Sequence, residues 1–298
     1  MKALVFGSLN IDNVYTVDHF VKPGETLSSE ELKFFCGGKG LNQAIALSRS
    51  GVETWQAGAV GKADGQMLID CLNNAGVNTK LVEKKDIPSG HAIIQNNSSG
   101  ENSIILFGGS NMSITKENVL KVMEHFEKGD FLILQNEINQ MSFIMECAHK
   151  IGMKIVLNPS PINEKINELP LEYVSYFILN EIEGAVLSGI ENDEEKIAQK
   201  LSEKYPDAQI VLTLGKNGSV YRCKDTVIKQ PIYKVKAVDT TAAGDTFTGF
   251  FFGSIMKNVP IEEAMDIAAK ASAIAVGRKG ASPSIPSLEE VLNSSLSK

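Results

Sequence analysis

The sequence predicts an α/β fold: a mostly parallel central sheet with helices on both faces, plus a small β-sheet lid. Three observations carry this. Apolar runs such as Ala3-Leu4-Val5-Phe6, Phe131-Leu132-Ile133-Leu134 and Ile210-Val211-Leu212 have the length and continuity of strands buried on both faces. From residue 113 onward such runs alternate with helical stretches, the pattern of repeated βα units. The segments 12–36 and 89–108 have no helical period and read as short strands standing off the main sheet.

The 298 residues suffice for one large α/β domain or two smaller ones, and 43% apolar residues support a sizeable core. There is no internal repeat and no low-complexity linker, so the chain is read as one domain over 1–298 with lid strands within 12–36 and 89–108. A net charge of −7 argues against nucleic acid or an anionic membrane as the main partner, while leaving room for a local phosphate site. Cys36, Cys71, Cys147 and Cys223 lie far apart, which disfavours a metal cluster or disulfide framework and fits a reducing cytosol. The opening apolar run is too short for a secretion signal, and no stretch reaches membrane-spanning length. The expectation is a soluble, cytoplasmic protein.

Taken in order, residues 3–7 form a first strand closed by Gly7. Asn10 and Asp12 follow, beyond the carboxyl end of that strand, where open sheets collect ligands. They suit sugar hydroxyls, and they equally suit a turn. Pro23-Gly24-Glu25-Thr26 is a turn between stand-off strands. Cys36-Gly37-Gly38-Lys39-Gly40-Leu41-Asn42-Gln43 opens a helix that ends at Gly51. Its glycines let backbone and ligand approach closely, with Asn42 facing the ligand. Lys39 lacks the spacing of a Walker A loop, and the absence of GxGxxG disfavours a dinucleotide site.

Residues 55–61 read as a second strand and 66–74 as a helix ended by Gly76. A hairpin follows, 89–95 and 103–107 around a polar turn at 96–102, with His91 structural or lid-lining. Thr115 caps a helix reaching about residue 127. Strands 131–137, 154–161, 176–183 and 209–218 then alternate with helices 140–150 and 193–204. Residues 221–238 read as a β-rich return, and 288–296 as a last helix capped by Ser287. The alanine-rich helix 261–277 suits close helix packing or approach to a planar ligand. In a parallel sheet, Glu137, Asn158, Asn180, Glu183 and Thr213 would gather on one rim. Each alone suits a cap or turn; together they form a constellation.

The most telling stretch is Asp239-Thr240-Thr241-Ala242-Ala243-Gly244-Asp245-Thr246, which runs into the apolar Phe250-Phe251-Phe252. A small-residue turn before a helix leaves N–H groups unpaired, and the helix dipole favours a phosphate there. A carboxylate in such a place makes sense as a base that takes a proton from an attacking hydroxyl. Asp245 would serve equally as a plain helix cap.

The pair of motifs, Gly37-Gly38-Lys39-Gly40-Leu41-Asn42-Gln43-Ala44 and the stretch ending in Gly244-Asp245-Thr246-Phe247, resembles the ribokinase-like (phosphofructokinase B type) carbohydrate kinases over nearly the whole chain. Asn10-Ile11-Asp12, Asn158-Pro159-Ser160-Pro161, Asn180-Glu181, Thr213-Leu214-Gly215-Lys216-Asn217-Gly218 and Arg278-Lys279-Gly280-Ala281 support it. The resemblance implies an ATP-dependent kinase acting on the primary hydroxyl of a furanose, D-ribose foremost. Asp245 then resembles the catalytic base, and Ala242, Ala243 and Gly244 the anion hole. Asn10, Asp12, Gly38, Lys39, Gly40, Asn42 and Glu137 resemble the sugar-binding set. Asn180, Gly244 and the loop Thr213, Leu214, Gly215, Lys216, Asn217 and Gly218 resemble the ATP contacts, with Glu183 near Mg²⁺-linked water. Asp239, Thr241, Ala275, Arg278, Gly280 and Ser284 resemble a monovalent-cation (K⁺) loop, several of them through backbone carbonyls.

Two segments depart from the ribokinase pattern: Gly61-Lys62-Ala63-Asp64-Gly65 and Phe107-Gly108-Gly109-Ser110-Asn111. They bear on the choice of sugar more than on kinase activity. The rivals are a nucleoside kinase or another sugar kinase of the same fold, and a non-catalytic sugar sensor, which would have no use for the Gly244-Asp245 pair. A lid sheet with an exposed edge would be covered by a second subunit, and the resemblance implies a homodimer through the lid.

Overall fold

The computed structural model describes residues 1–99 and 101–298. Its strands are β1 (Ala3–Phe6), β2 (Asn10–Thr16), β3 (Glu31–Gly37), β4 (Thr54–Gly61), β5 (Asn78–Lys85), β6 (Gly90–Asn96) and β7 (Asn102–Phe107). They continue as β8 (Phe131–Gln135), β9 (Lys154–Asn158), β10 (Val174–Asn180), β11 (Gln209–Thr213), β12 (Ser219–Cys223) and β13 (Thr226–Gln230). The helices are α1 (Lys39–Arg49), α2 (Gln66–Asn74), α3 (Lys116–Met123), α4 (Met141–Ile151), α5 (Glu181–Ser188), α6 (Glu194–Lys204), α7 (Ala243–Met256), α8 (Ile261–Val276) and α9 (Leu288–Leu292).

The apolar runs pair into a nine-stranded sheet in the order β13-β12-β11-β10-β9-β8-β1-β4-β5. It is parallel from β5 through β11, with β12 and β13 as an antiparallel edge. One face is covered by α1, α2, α7, α8 and α9, the other by α3, α4, α5 and α6. The predicted two-faced α/β fold is therefore what forms. From β1 the sheet grows toward β4 and β5; from β8 it grows the other way, toward β9, β10 and β11. At that reversal an open sheet leaves a crevice at its carboxyl ends. Ser8 follows β1 there, and Glu137 follows β8.

The second sheet has four strands in the order β3-β2-β6-β7, and it matches the expected lid. β2 starts at Asn10 and β3 runs to Gly37, so the lid reaches two residues earlier and one later than the 12–36 reading. Every residue of its edge strand β7 is exposed, Ile104, Ile105, Leu106 and Phe107 included. The hairpin turn expected at 96–102 contains Gly100, which lies outside the described residues.

Packing of α7 decides where the site sits. Phe250, Phe251 and Phe252 are fully buried, so the helix is core on nearly all sides. On the side facing α1, Gly249 and Gly253 are one turn apart; a Cβ on either would overlap Ala46 or Ser50. The two helices thus lie close, and the start of α7 is held against the start of α1. α8 packs along α7 with Ala264, Ala268 and Ala271 fully buried, and Ser272 Oγ donates to Ala243 O at 3.0 Å. These alanines serve close helix packing.

Several boundaries differ from the sequence reading. β10 ends at Asn180 rather than 183, because Asn180 and Glu183 form a capping box that starts α5, a helix not anticipated. β5 was not anticipated either; it is an edge strand whose lysines and glutamate dilute the apolar signal. α3 stops at Met123, short of 127, as His125 and Phe126 turn back to Val122 and Met123. The strands expected at 131–137, 154–161 and 209–218 end at Gln135, Asn158 and Thr213, and α9 ends at Leu292 rather than 296. Cys36 and Cys71, distant in sequence, meet between β3 and α2, although both are free thiols. Among the described residues no helix is long and apolar enough to cross a membrane.

Candidate active site

Asp245 lies in the first turn of α7 and is 8% exposed. Asn42 Nδ2 donates to its Oδ2 at 3.1 Å, and Gln43 Nε2 donates to its Oδ1 at 2.9 Å. Its carboxylate is thus gripped from α1 by two neutral amides. Asn42 Oδ1, also buried, has no partner among the described residues and remains a spare acceptor beside the acid.

The turn before α7 is strained. Ala242 caps the helix at φ 60°, in the left-handed region that costs a non-glycine residue roughly 1–2 kcal/mol. The turn leaves donors exposed at the helix start. Gly244 is exposed, and a Cβ on it would meet nothing within 4 Å. The Ala243 N–H is taken by Thr240 O at 3.2 Å, and Thr246 N–H by Ala242 O at 2.8 Å. The N–H groups of Gly244 and Asp245 have no such partner among the described residues, which leaves them for an anion.

Beside the acid sits a ring of polar groups at the base of the lid. Ser8 Oγ donates to Glu137 Oε2 and accepts the Gly40 N–H at 3.2 Å. Glu137 Oε2 also accepts the Lys39 N–H at 3.2 Å. Burial pushes the Glu137 carboxyl up, against the pull of Ser8 and Lys39. Burial disfavours the Lys39 charge too, yet Asp245, Glu137 and Glu183 outweigh it and hold that ammonium above its usual value. Asp12, on β2, is raised to about 6 by burial and by Glu137. Asn10 is buried, and its Oδ1 accepts from Asn111 Nδ2 at 2.7 Å. Gly38 sits at φ 94° against Ser8 and Asn10, and a Cβ on Gly40 would overlap Gly7 and Ser8. Asn10, Asp12, Gly38, Lys39, Gly40, Asn42, Glu137 and Asp245 are therefore brought together.

The remaining residues of the rim lie along it. Asn180 exchanges three hydrogen bonds with Glu183, at 2.9 to 3.0 Å, in the cap of α5. Glu183 is 3% exposed, with both oxygens on Asn180, so it is a capping residue first. Asn158 Nδ2 donates to Ile178 O at 3.0 Å, and Thr213 Oγ1 to Leu179 O at 3.2 Å. Beyond Thr213, buried Leu214 bonds Gly218 O at 2.8 Å and closes a turn that exposes Gly215, Lys216 and Asn217.

Asp239 joins the two loops expected to hold a cation. Its Oδ1 accepts the Thr241 N–H and its Oδ2 the Gly280 N–H, both at 2.9 Å. Burial opposes its charge, but these bonds hold its carboxyl below the usual range. Arg278 pairs with Glu290 at 2.7 Å, which leaves only its carbonyl for a cation. Ala275 O accepts the Arg278 N–H at 3.0 Å, and Ser284 Oγ donates to Ala281 O at 2.7 Å. Among the described residues no three His, Cys, Asp or Glu side chains converge to hold a metal.

Four residues at the site had no assigned role in the sequence reading: Ser8, Gln43, Gln135 and Asn111. Gln43 stood in the glycine-rich motif and Asn111 in a segment marked as unusual, so both were visible without a role. Ser8 and Gln135 gave no signal beyond their place at strand ends.

The comparisons with known proteins fit this geometry. The model of the pfkB family of carbohydrate kinases matches residues 1–288. The chain belongs to this family. A ribokinase of Staphylococcus aureus is 36% identical over 301 residues, covering 97% of this chain and 98% of that one. A ribokinase structure from Thermotoga maritima superposes with a TM-score of 0.88 at 36% identity, covering 98% of each chain. The ribokinase of Arabidopsis thaliana, solved with ribose and ATP, superposes at 0.86 with 30% identity over 98% of this chain and 97% of that one. As a member of the pfkB family, the chain is an ATP-dependent carbohydrate kinase.

Proposed function

We propose that this kinase transfers the γ-phosphoryl group of ATP to the primary hydroxyl of a furanose, D-ribose giving D-ribose 5-phosphate, with Asp245 as the general base. One observation carries the reading: a carboxylate gripped by Asn42 and Gln43 stands directly beside the unpaired N–H groups of Gly244 and Asp245. A base and an anion site are thereby placed on the two partners of one transfer. Asn10, Asp12, Asn42 and Glu137 hold the sugar hydroxyls; the primary hydroxyl loses its proton to Asp245 as it attacks the phosphorus. The N–H groups at the start of α7 stabilise the charge on the phosphoryl oxygens, and Lys39 adds a cation from α1. The adenosine end lies along Thr213, Leu214, Gly215, Lys216, Asn217 and Gly218, with Asn180 on the same rim.

Among the described residues no three His, Cys, Asp or Glu side chains gather into a cage, and we propose that Mg²⁺ comes on the phosphates of ATP, where it would neutralise their charge. For K⁺, Asp239 contributes one carboxylate, and carbonyls of Thr241, Ala275, Arg278, Gly280 and Ser284 are the other oxygens we propose. A donor set of low formal charge suits a large, weakly hydrated ion. Asp239 already ties Thr241 to Gly280, so an ion there would steady the turn that presents the N–H groups. We also propose a homodimer through the lid, because the β7 edge, with Ile104, Ile105, Leu106 and Phe107 all exposed, is a template for pairing. A cytosolic setting accords with the free thiols and with the supply of ATP.

ATP consumption measured over a panel of pentoses, hexoses and nucleosides tests this proposal. D-Ribose should give the highest kcat/KM. A nucleoside or hexose preferred over every pentose would overturn the assignment of the sugar, and no acceptor-dependent turnover would overturn the kinase mechanism.

A further inference from the structure

Behind Asp245 lies a second layer of amides that the reaction as drawn does not use. Gln43 and Gln135 are both fully buried, one in α1 and the other at the end of β8. Gln135 Nε2 donates to Gln43 Oε1 at 2.7 Å, and Gln43 Nε2 donates to Asp245 Oδ1 at 2.9 Å. The direction of this chain is chemically forced. An ionised carboxylate only accepts, so Gln43 must present its amino group to Asp245 and its carbonyl to the rear. Gln135 must meet that carbonyl with its own amino group. The Gln135 carbonyl is then turned away, and its Oε1 is buried with no protein partner. It sits against Gly7, where a Cβ would overlap it.

A buried acceptor without a partner destabilises a fold by about 1–3 kcal/mol. An apolar residue closing β8, like the Phe131, Leu132, Ile133 and Leu134 before it, would remove that orphan but leave Gln43 Oε1 buried without a donor. The polar residue at 135 therefore goes with the amide of Gln43, the group that grips Asp245. We infer that Gln135 and Gln43 form a positioning relay for the catalytic carboxylate. Gln135 fixes the amide of Gln43 in the one orientation that donates, and Gln43 holds Asp245 Oδ1 so that the acid faces the sugar hydroxyl. Neither glutamine reaches substrate; each acts through the next. Without Gln135, the Gln43 amide is free to turn its carbonyl toward Asp245, which repels the carboxylate from its place.

The relay rests on Asp245 being the base, so Asp245→Asn is measured beside Gln135→Leu, Gln43→Met and their double mutant. Gln135→Leu removes the orphan Gln135 carbonyl but leaves Gln43 Oε1 without its donor, one orphan acceptor for another, so its Tm should stay close to that of the parent. Its kcat should nevertheless fall roughly tenfold or more, the scale expected for a displaced reacting group, with the KM for ATP unchanged. The double mutant should be no slower than Gln43→Met alone, because the two amides act in series. A kcat for Gln135→Leu within about twofold of the parent, or additive losses in the double mutant, would remove the relay while an inactive Asp245→Asn leaves the base in place. Turnover retained in Asp245→Asn would remove both. If Gln43→Met does not fold, the divergence of kcat from Tm in Gln135→Leu decides the matter alone.

Discussion

The two ends of the candidate site are built in different ways. The end we propose for the acceptor is a lattice of buried side chains: Ser8 with Glu137, Asn111 with Asn10, and Asn42 and Gln43 with Asp245. The end we propose for the nucleotide is mostly backbone and surface: an exposed turn over Gly215, Lys216 and Asn217, and an exposed Gly244. Interlocked side chains fix directions before a ligand arrives, which is how a site stabilises charge without rearranging. Unpaired N–H groups at a helix start accept any phosphate. Choice of acceptor and chemistry should therefore reside at the buried end, and generic phosphate affinity at the open one.

The comparison can be broken most forcefully at the acid. Asp245→Asn keeps the shape and the helix start, so ATP affinity should persist while kcat falls by roughly 10²–10⁴. Steady-state kinetics with ATP titrated at saturating sugar show the separation; a matching loss of ATP affinity would mean that the two ends are one unit.

Next in size are the proposed sugar contacts. Asn42→Ala or Asp12→Ala should weaken sugar binding by about 1–3 kcal/mol, with the sugar KM rising far more than the ATP KM. Equal changes in both constants would make these residues part of the scaffold.

A smaller effect concerns the proposed cation loops, which on that proposal would steady the turn without touching substrate. Turnover should be faster in K⁺ than in Na⁺ or a bulky organic cation at matched ionic strength, and Asp239→Ala should abolish the difference. Identical kcat in all three salts would leave Asp239 as a clasp between loops and nothing more.

The mildest is a pH dependence confined to the acceptor end. Asp12 is raised to about 6, so it is neutral at pH 5 and ionised at pH 7. The ionised form is the better acceptor of hydroxyl hydrogen bonds. The sugar KM should consequently rise as pH falls through about 6, and Asp12→Asn should flatten that rise. A profile unchanged by the substitution would assign the titration to another group.

Much of this was legible in the sequence because local chemistry announces itself. Glycine crowding at 37–40 and the small-residue turn before Asp245 each mark a helix start, and buried apolar runs mark a parallel sheet. What stayed hidden was either long-range or directional. Gln43 and Gln135 are 92 residues apart, and Gln43 and Asp245 are 202 apart, so no window joins them. Arg278 stood in the right loop, but only the fold shows its guanidinium spent on Glu290. The capping box of Asn180 and Glu183 was present as a pattern, masked by the apolar run before it, which made the segment read as strand. β5 was lost because an edge strand carries the charges that protect it from pairing.

The central claim is that Asp245 and the N–H groups at the start of α7 act together on one phosphoryl transfer to a primary hydroxyl, the acid on the hydroxyl and the N–H groups on the phosphoryl oxygens. The most direct test is the position of the phosphate in the product formed from D-ribose and ATP, read by phosphorus and proton nuclear magnetic resonance. A single ester on the C5 oxygen, formed roughly 10²–10⁴ times more slowly when Asp245→Asn replaces the parent enzyme, is the result expected. Phosphate on the anomeric oxygen or a secondary hydroxyl, or the same C5 ester formed at the parental rate by Asp245→Asn, would contradict it.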